Sequence, residues 1–328
     1  MSSALPTHRP ILLSFLLAAT ALVAACGPTA GPLGTPASPA LTPAPSGEPT
    51  PSDVAPGSPT PPPTEAPTAS PSGEPADSPS PTPTGTPAAS GTTIVRAYFV
   101  LGSFTGNDGL VPVLREIPAT KAVARAAMTQ LLGGPKGVEL EGSPAMYSGI
   151  PEGTKLLDLT IADNVATVVL SKEFAQAEQN VQATTARAQV IYTLTQFSTI
   201  KQVRIGVGTA EPEPAAGRSD YQSIVLPAIF VDRPAWGAAA GNPVHVTGLA
   251  NVFEATFRVQ VLDGKGSVLA DKQVMATCGT GCWGSFKTDV PYAIGKAQYG
   301  TLRVFDLSAK DGTPENVTEY RVWLTPAG

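Results

Sequence analysis

Leu110-Val-Pro-Val-Leu-Arg-Glu-Ile-Pro118 is rich in extended-chain residues, yet its third position is a proline. Pro112 brings no N–H to a ladder, so this segment is expected as a strand at the rim of a sheet and not at its centre. Its partner precedes it. Thr93 to Leu101 (TIVRAYFVL) is dense in β-branched and aromatic residues and reads as a strand, with Gly102 to Gly109 as the connecting loop. After it, Thr120 is placed to cap a helix over Lys121 to Leu132, whose apolar stripe is Ala124, Met128, Leu131 and Leu132. Gly133-Gly134-Pro135 stops that helix. Two further strands, Lys155 to Ile161 and Val165 to Leu170, flank a turn at Asp163-Asn164. A second helix over Thr184 to Phe197 aligns Ala186, Val190, Leu194 and Phe197, and a strand over Lys201 to Val207 closes the unit. The order ββαββαβ over residues 93–211 predicts an α+β domain with two helices on one sheet.

Beyond the linker around Glu211 to Gly217 the period changes to two. Phe253, Ala255, Phe257, Val259 and Val261 alternate with Glu254, Thr256, Arg258 and Gln260, and Asp263-Gly264-Lys265-Gly266 turns the chain into Ser267 to Ala276. More strands are expected at Ala228 to Arg233, Pro243 to Gly248, Ser285 to Val290, Thr301 to Ser308 and Thr318 to Thr325, with Asp311-Gly312 as a hairpin turn. Short strands separated by Gly, Pro and Asp over residues 226–326 predict an all-β sandwich.

The first unit resembles the GerMN domain. The residues that carry the resemblance are Leu110 to Pro118, Leu131-Leu-Gly-Gly-Pro135, Gly149-Ile-Pro-Glu-Gly-Thr154 and Gln189-Val-Ile-Tyr-Thr-Leu-Thr-Gln-Phe197. That family occurs in sporulation and germination proteins and in envelope lipoproteins of bacteria that never sporulate. The resemblance implies kinship with ring-building modules, which associate through the faces of small sheets, and its motif residues are architectural. The second unit resembles the immunoglobulin-like domain that accompanies GerMN in spore germination proteins, through Pro234-Ala-Trp-Gly237, Val246-Thr-Gly-Leu-Ala-Asn-Val-Phe-Glu-Ala255, Trp283-Gly-Ser-Phe286 and Ser308-Ala-Lys-Asp-Gly312.

The N-terminus says where the chain works. Ile11 to Ala25 is apolar but too short to cross a hydrocarbon core of about 30 Å comfortably, and it ends in Val23-Ala24-Ala25-Cys26-Gly27. Residues 1–25 read as a lipoprotein signal peptide, with Cys26 the lipid attachment residue. The alternatives are an uncleaved anchor and an ordinary secretory signal in which Cys26 is incidental. Residues 26–92 are almost wholly Pro, Thr, Ser, Gly and Ala and hold more than half of the 35 prolines, a composition that predicts a disordered tether. The expected location is the extracytoplasmic face of the cell membrane, held by lipid.

A net charge of −5 and the lack of a Lys/Arg cluster argue against nucleic acid. The chain has two histidines; His8 leaves with the signal, and His245 sits in an alternating strand, so neither a metal site nor a histidine-based triad is expected. No catalytic residues and no cofactor are therefore assigned. Glu116, Asp158, Asp163, Glu173 and Glu254 are scattered over loops and strand ends. Cys278-Gly-Thr-Gly-Cys282 is a candidate disulfide, since glycines allow so tight a loop, though two reduced thiols fit the same spacing. Arg115, Arg204, Trp236 and Trp283 are the candidate binding surface. Two function classes follow: a lipid-anchored adaptor that binds envelope proteins or itself, and a binder of wall polymer or glycan through the C-terminal sandwich.

Overall fold

The structure, a computed structural model, describes residues 91–102, 109–142, 144–177 and 180–327. The stretch expected as a signal peptide, Cys26 and nearly all of the expected tether lie outside the described residues.

Strand β1 (Thr92–Leu101) pairs antiparallel with β2 (Gly109–Pro118) along its whole length. The sheet order is β2-β1-β3, where β3 is the two-residue Met146–Tyr147, so the proline-bearing β2 is an edge as its sequence requires. β1 is buried on both faces. Val95, Ala97 and Phe99 are buried on one side, and Tyr98 and Val100 on the other, which is why its sequence is a continuous apolar run. Strands β4 (Leu156–Ala162), β5 (Val165–Leu170) and β6 (Gln202–Val207) form a separate sheet in that order, with β4 antiparallel and β6 parallel to β5. The domain thus has two three-stranded sheets, not the single sheet expected. Helix α1 (Val123–Leu132) contacts β1, β2 and β4, and helix α2 (Asn180–Leu194) contacts β1 and β6, so the helices bind the two sheets into one core.

The helix starts differ from expectation. α1 begins at Val123, because Thr120 Oγ1 accepts the N–H of Ala122 at 3.1 Å and so caps the turn ahead of the helix. Beyond Gly133 the chain turns at Gly134, whose φ of 70° ends α1 where expected. α2 begins at Asn180 and ends at Leu194, leaving Phe197 to pack beyond its end. Asp163 and Asn164 both have positive φ, 49° and 61°, which makes the tight β4–β5 turn.

The second domain has two antiparallel sheets facing each other. One is β10-β9-β12-β13, from β9 (Thr256–Leu262), β10 (Val268–Met275), β12 (Gln298–Leu307) and β13 (Pro314–Leu324). The other is β11-β8-β7, from β7 (Ile229–Arg233), β8 (Val244–Ala250) and β11 (Gly284–Val290). Phe257, Val259 and Val261 enter the core together with Val246, Phe286, Leu302 and Tyr320, and the Phe257 and Phe286 rings meet edge to face with centroids 4.8 Å apart. The strand expected from Phe253 starts at Thr256 instead. Phe253–Ala255 form a 3-10 turn with Glu254 and Ala255 at φ 53° and 57°, and Phe253 is exposed. That turn receives the Cys278–Cys282 loop: Thr280 N–H bonds Val252 O at 3.0 Å, Gly281 N–H bonds Asn251 Oδ1 at 2.9 Å, and Glu254 N–H bonds Thr280 Oγ1 at 3.1 Å. The Gly-Leu-Ala-Asn-Val-Phe-Glu-Ala motif is the end of β8 followed by a docking turn.

Its glycine has a steric reason. A Cβ on Gly248 would fall against the carbonyl oxygen of Phe230 on the paired strand and within 2.7 and 2.9 Å of Phe286 Cζ and Cε1. Gly248→Ala is expected to cost about 2–3 kcal/mol, because backbone on one side and a core ring on the other cannot both yield. A thermal midpoint equal to that of the wild type would show that β7 and β8 are not held this closely.

Candidate functional site

The two domains meet in a buried seam. Tyr98 on β1 and Tyr192 on α2 pack with Phe230 on β7, at ring-centroid distances of 5.6 Å (Tyr98–Tyr192) and 6.2 Å (Tyr192–Phe230). Val225 and Leu226, from the end of the short helix α3 (Gln222–Val225), complete the cluster. At its border sits Asp232 of β7. Tyr98 donates its hydroxyl proton to Asp232 Oδ1 at 2.7 Å, Arg96 Nη1 lies 3.1 Å from Oδ2, and Arg218 Nη1 lies 3.3 Å from Oδ1. Arg218 also donates to the Tyr98 hydroxyl at 3.0 Å and to the Tyr192 carbonyl at 3.0 Å, with its guanidinium over both rings at 5.2 and 4.8 Å. Burial would raise the pKa of Asp232, but Arg96, Arg218 and the Tyr98 hydroxyl outweigh it and hold the carboxyl below its ordinary value. The Tyr98 hydroxyl is pushed up to about 12, chiefly by burial. Sequence reasoning passed over this network because its members lie far apart in the chain and none carries a motif.

A backbone link joins the domains at a second place. Trp236 N–H bonds Pro112 O at 2.8 Å and Leu114 N–H bonds Trp236 O at 3.0 Å, so the loop after β7 runs along the outer edge of β2. The linker does the same for β6: Val203 and Ala216 exchange both backbone bonds, and Glu213 N–H bonds Ile205 O at 2.9 Å. The outer side of β4 has no such cover among the described residues. Leu157 and Ile161 on that strand are 52% and 47% exposed.

The structure does not bring the four candidate surface residues together. Arg115 is a correction: it is 8% exposed, and its Nη1 and Nη2 grip the Glu139 carboxylate at 2.6 and 2.7 Å, with Phe99 beneath the guanidinium at 5.3 Å. It holds the segment after α1 onto β2 and offers no surface. Arg204 is exposed on β6, apart from the rest. Trp283 is half-buried against the seam cluster, and its indole N–H donates to Ser223 Oγ at 3.2 Å, a packing role at the sandwich end. Trp236 is half-buried and borders a cleft between the domains. The more exposed aromatic pair was missed. Tyr299 and Trp323, 43% and 36% exposed, are cross-strand neighbours on β12 and β13 and meet edge to face with centroids 4.8 Å apart. The available signal was that Tyr299 and Thr301, and Arg321 and Trp323, alternate with the buried Gly300, Leu302, Val322 and Leu324 and so share the outer face.

Cys278 and Cys282 are joined in the loop between β10 and β11, with Cα atoms 5.9 Å apart. His245 is exposed on β8, its Nδ1 2.6 Å from Asp289 Oδ1 on the neighbouring β11. Among the described residues no cluster of His, Cys, Asp and Glu could hold a metal, and no helix is long and apolar enough to cross a membrane.

Fold and seam define a protein of two joined modules, an α+β domain with one antiparallel and one mixed three-stranded sheet and an immunoglobulin-like sandwich. Residues 96–211 match the Germane family, described as "Sporulation and spore germination", and residues 228–313 match Gmad2, "Immunoglobulin-like domain of bacterial spore germination". The chain carries a Germane (GerMN) domain followed by a Gmad2 domain. Among solved structures it is similar to the tandem GerMN domains of the sporulation protein GerM from Bacillus subtilis, at 16% identity, covering 61% of this chain and 62% of that one with a TM-score of 0.33. The first GerMN domain of that protein matches at 24% identity over 41% of this chain and 97% of that one, with a TM-score of 0.31. A proposed lipoprotein from Clostridium perfringens matches at 19% identity over 43% of this chain and 97% of that one, with a TM-score of 0.28. No curated protein matches the chain.

Proposed function

We propose that the protein is a lipid-anchored module on the extracytoplasmic face of the membrane, attached through Cys26, that binds another envelope protein or copies of itself without doing chemistry. The observation that carries the reading is the bare edge of β4. The outer edges of β2 and β6 are bonded by the loop after β7 and by the linker, whereas the outer N–H and C=O groups of β4 have no backbone partner among the described residues and the strand displays Leu157 and Ile161. An uncovered strand with apolar side chains is a template for pairing with another chain. The Pro-rich stretch before it would act as a tether that raises the local concentration of partners at the membrane. A connection to sporulation or germination rests on the family descriptions.

The test is in-cell crosslinking of the full chain with Ile161→Cys. A covalent dimer, or a single captured envelope protein, is expected in the membrane fraction, and adding Leu157→Glu should abolish it. Cys26→Ser should move the protein out of that fraction. Monomer with and without the Leu157 change would overturn the β4 interface, and unchanged membrane attachment of Cys26→Ser would overturn the anchor.

A further inference from the structure

The cleft that Trp236 borders has a volume of about 320 Å³ and lies where β13 faces the end of the first domain. Its walls are apolar on the Germane side, from Val138, Pro144 and Met146, while the sandwich contributes Trp236, Thr318 and Arg321. Two acids also line it, and both are spent. Glu139 is bound by Arg115 and by Lys136 N–H, and Glu319 by Arg303 at 2.6 Å. Arg321 is different: among the described residues no carboxylate lies within ion-pair distance of it. Its guanidinium stacks on Tyr299, 3.3 Å from the ring centroid, with Trp236 at 5.8 Å. Stacking occupies the guanidinium face and leaves its in-plane N–H fork unused, which is the arrangement that receives a planar anion. Thr318, 6% exposed, borders the same cleft, but its side chain shares the inward face of β13 with Tyr320 and Val322 and is not presented to a ligand.

We infer that this interdomain cleft binds an anionic glycan, its acidic group held by Arg321 and a sugar face against Trp236. Size and lining suit a small ligand unit that is mostly apolar on one face with a few fixed polar contacts. The acid comes either from a carboxylate, as in a muramic-acid disaccharide, or from a phosphate, as in a polyol-phosphate wall polymer. The cleft lies apart from the β4 edge, so it stands or falls independently of the assembly reading.

The test uses the full chain in detergent and three probes by titration calorimetry: the N-acetylglucosamine–N-acetylmuramic acid disaccharide, a glycerol-phosphate wall polymer, and a neutral N-acetylglucosamine oligomer. One anionic probe should bind, more weakly as salt rises, and Arg321→Leu should weaken it at least about tenfold, the loss of a bidentate charge-assisted contact. Arg321→Lys should fall between the two and serves as the test should the leucine variant melt early. Binding of the disaccharide alone assigns a carboxylate, and of the polymer alone a phosphate. Equal binding of the neutral oligomer, anion binding indifferent to Arg321, or no binding by any probe would overturn the proposal.

Discussion

Asp232→Ala is expected to lower the stability of the folded unit by about 3–5 kcal/mol, the range for removing one partner of a buried charge network. The change leaves Arg96 and Arg218 facing each other without a counter-charge and strips the Tyr98 hydroxyl of its acceptor. The wild type should unfold in one transition, because one contiguous core runs from Phe99 and Val190 to Val259 and Val322 across both domains. The variant should melt far lower, with earlier proteolysis in the linker between them; a midpoint within a degree or two would show that the seam is held by apolar contact alone. The pH dependence has a definite sign. Asp232 is depressed in the folded protein, so its contribution is present above the unfolded value near 3.8 and is lost as pH falls through the lower folded value. Tyr98 is raised, so its contribution is complete below its ordinary value of 10.0 and disappears as pH rises through about 12. The wild type should therefore lose stability in acid below about pH 4, where carboxylates protonate, more steeply than Asp232→Ala does.

Glu139→Ala should be comparably damaging, about 3–5 kcal/mol, because Arg115 would remain buried beneath the segment after α1 without its counter-charge, with Nη2 unpaired and Nη1 left only the Leu114 carbonyl at 3.1 Å. Arg115 Nε already has no partner among the described residues, so one neutral carbonyl bond is all that would offset the buried charge. Replacing the two together, Arg115→Met with Glu139→Leu, should restore most of the loss, since apolar residues of similar size fill the site without desolvating charge. Urea unfolding of the two single variants and the double variant measures the coupling. A double variant no more stable than Glu139→Ala would mean that Arg115 is required for geometry and not only for charge balance.

The strands of both domains were legible because each carries its burial along its own sequence. Phe257, Val259 and Val261 alternate, and β1 is apolar throughout because both its faces are covered. Pro112 announced the edge, and Asp163-Asn164 the turn. Arg115 was misread because an arginine between Leu114 and Glu116 gives no hint of a carboxylate arriving from residue 139. Trp283 and Trp236 were sound as candidates by residue type, but exposure is decided by what folds over them. Tyr299 and Trp323, both more open than the two tryptophans chosen, meet only when β12 and β13 pair.

By itself the sequence determined the periodicities, the stops and turns, and with them an α+β domain followed by a β-sandwich. These follow from local backbone limits and from which side of a strand or helix is apolar, and neighbouring residues encode both. Tertiary structure alone decided that the first domain divides into two sheets, that Asp232 gathers Arg96, Tyr98 and Arg218 at the seam, that the outer side of β4 is bare among the described residues, and that Arg321 stands in a cleft whose acids Glu139 and Glu319 are bound to other arginines. Each of these depends on which distant segments share a surface, and pairing across a hundred residues leaves no periodic trace in the chain.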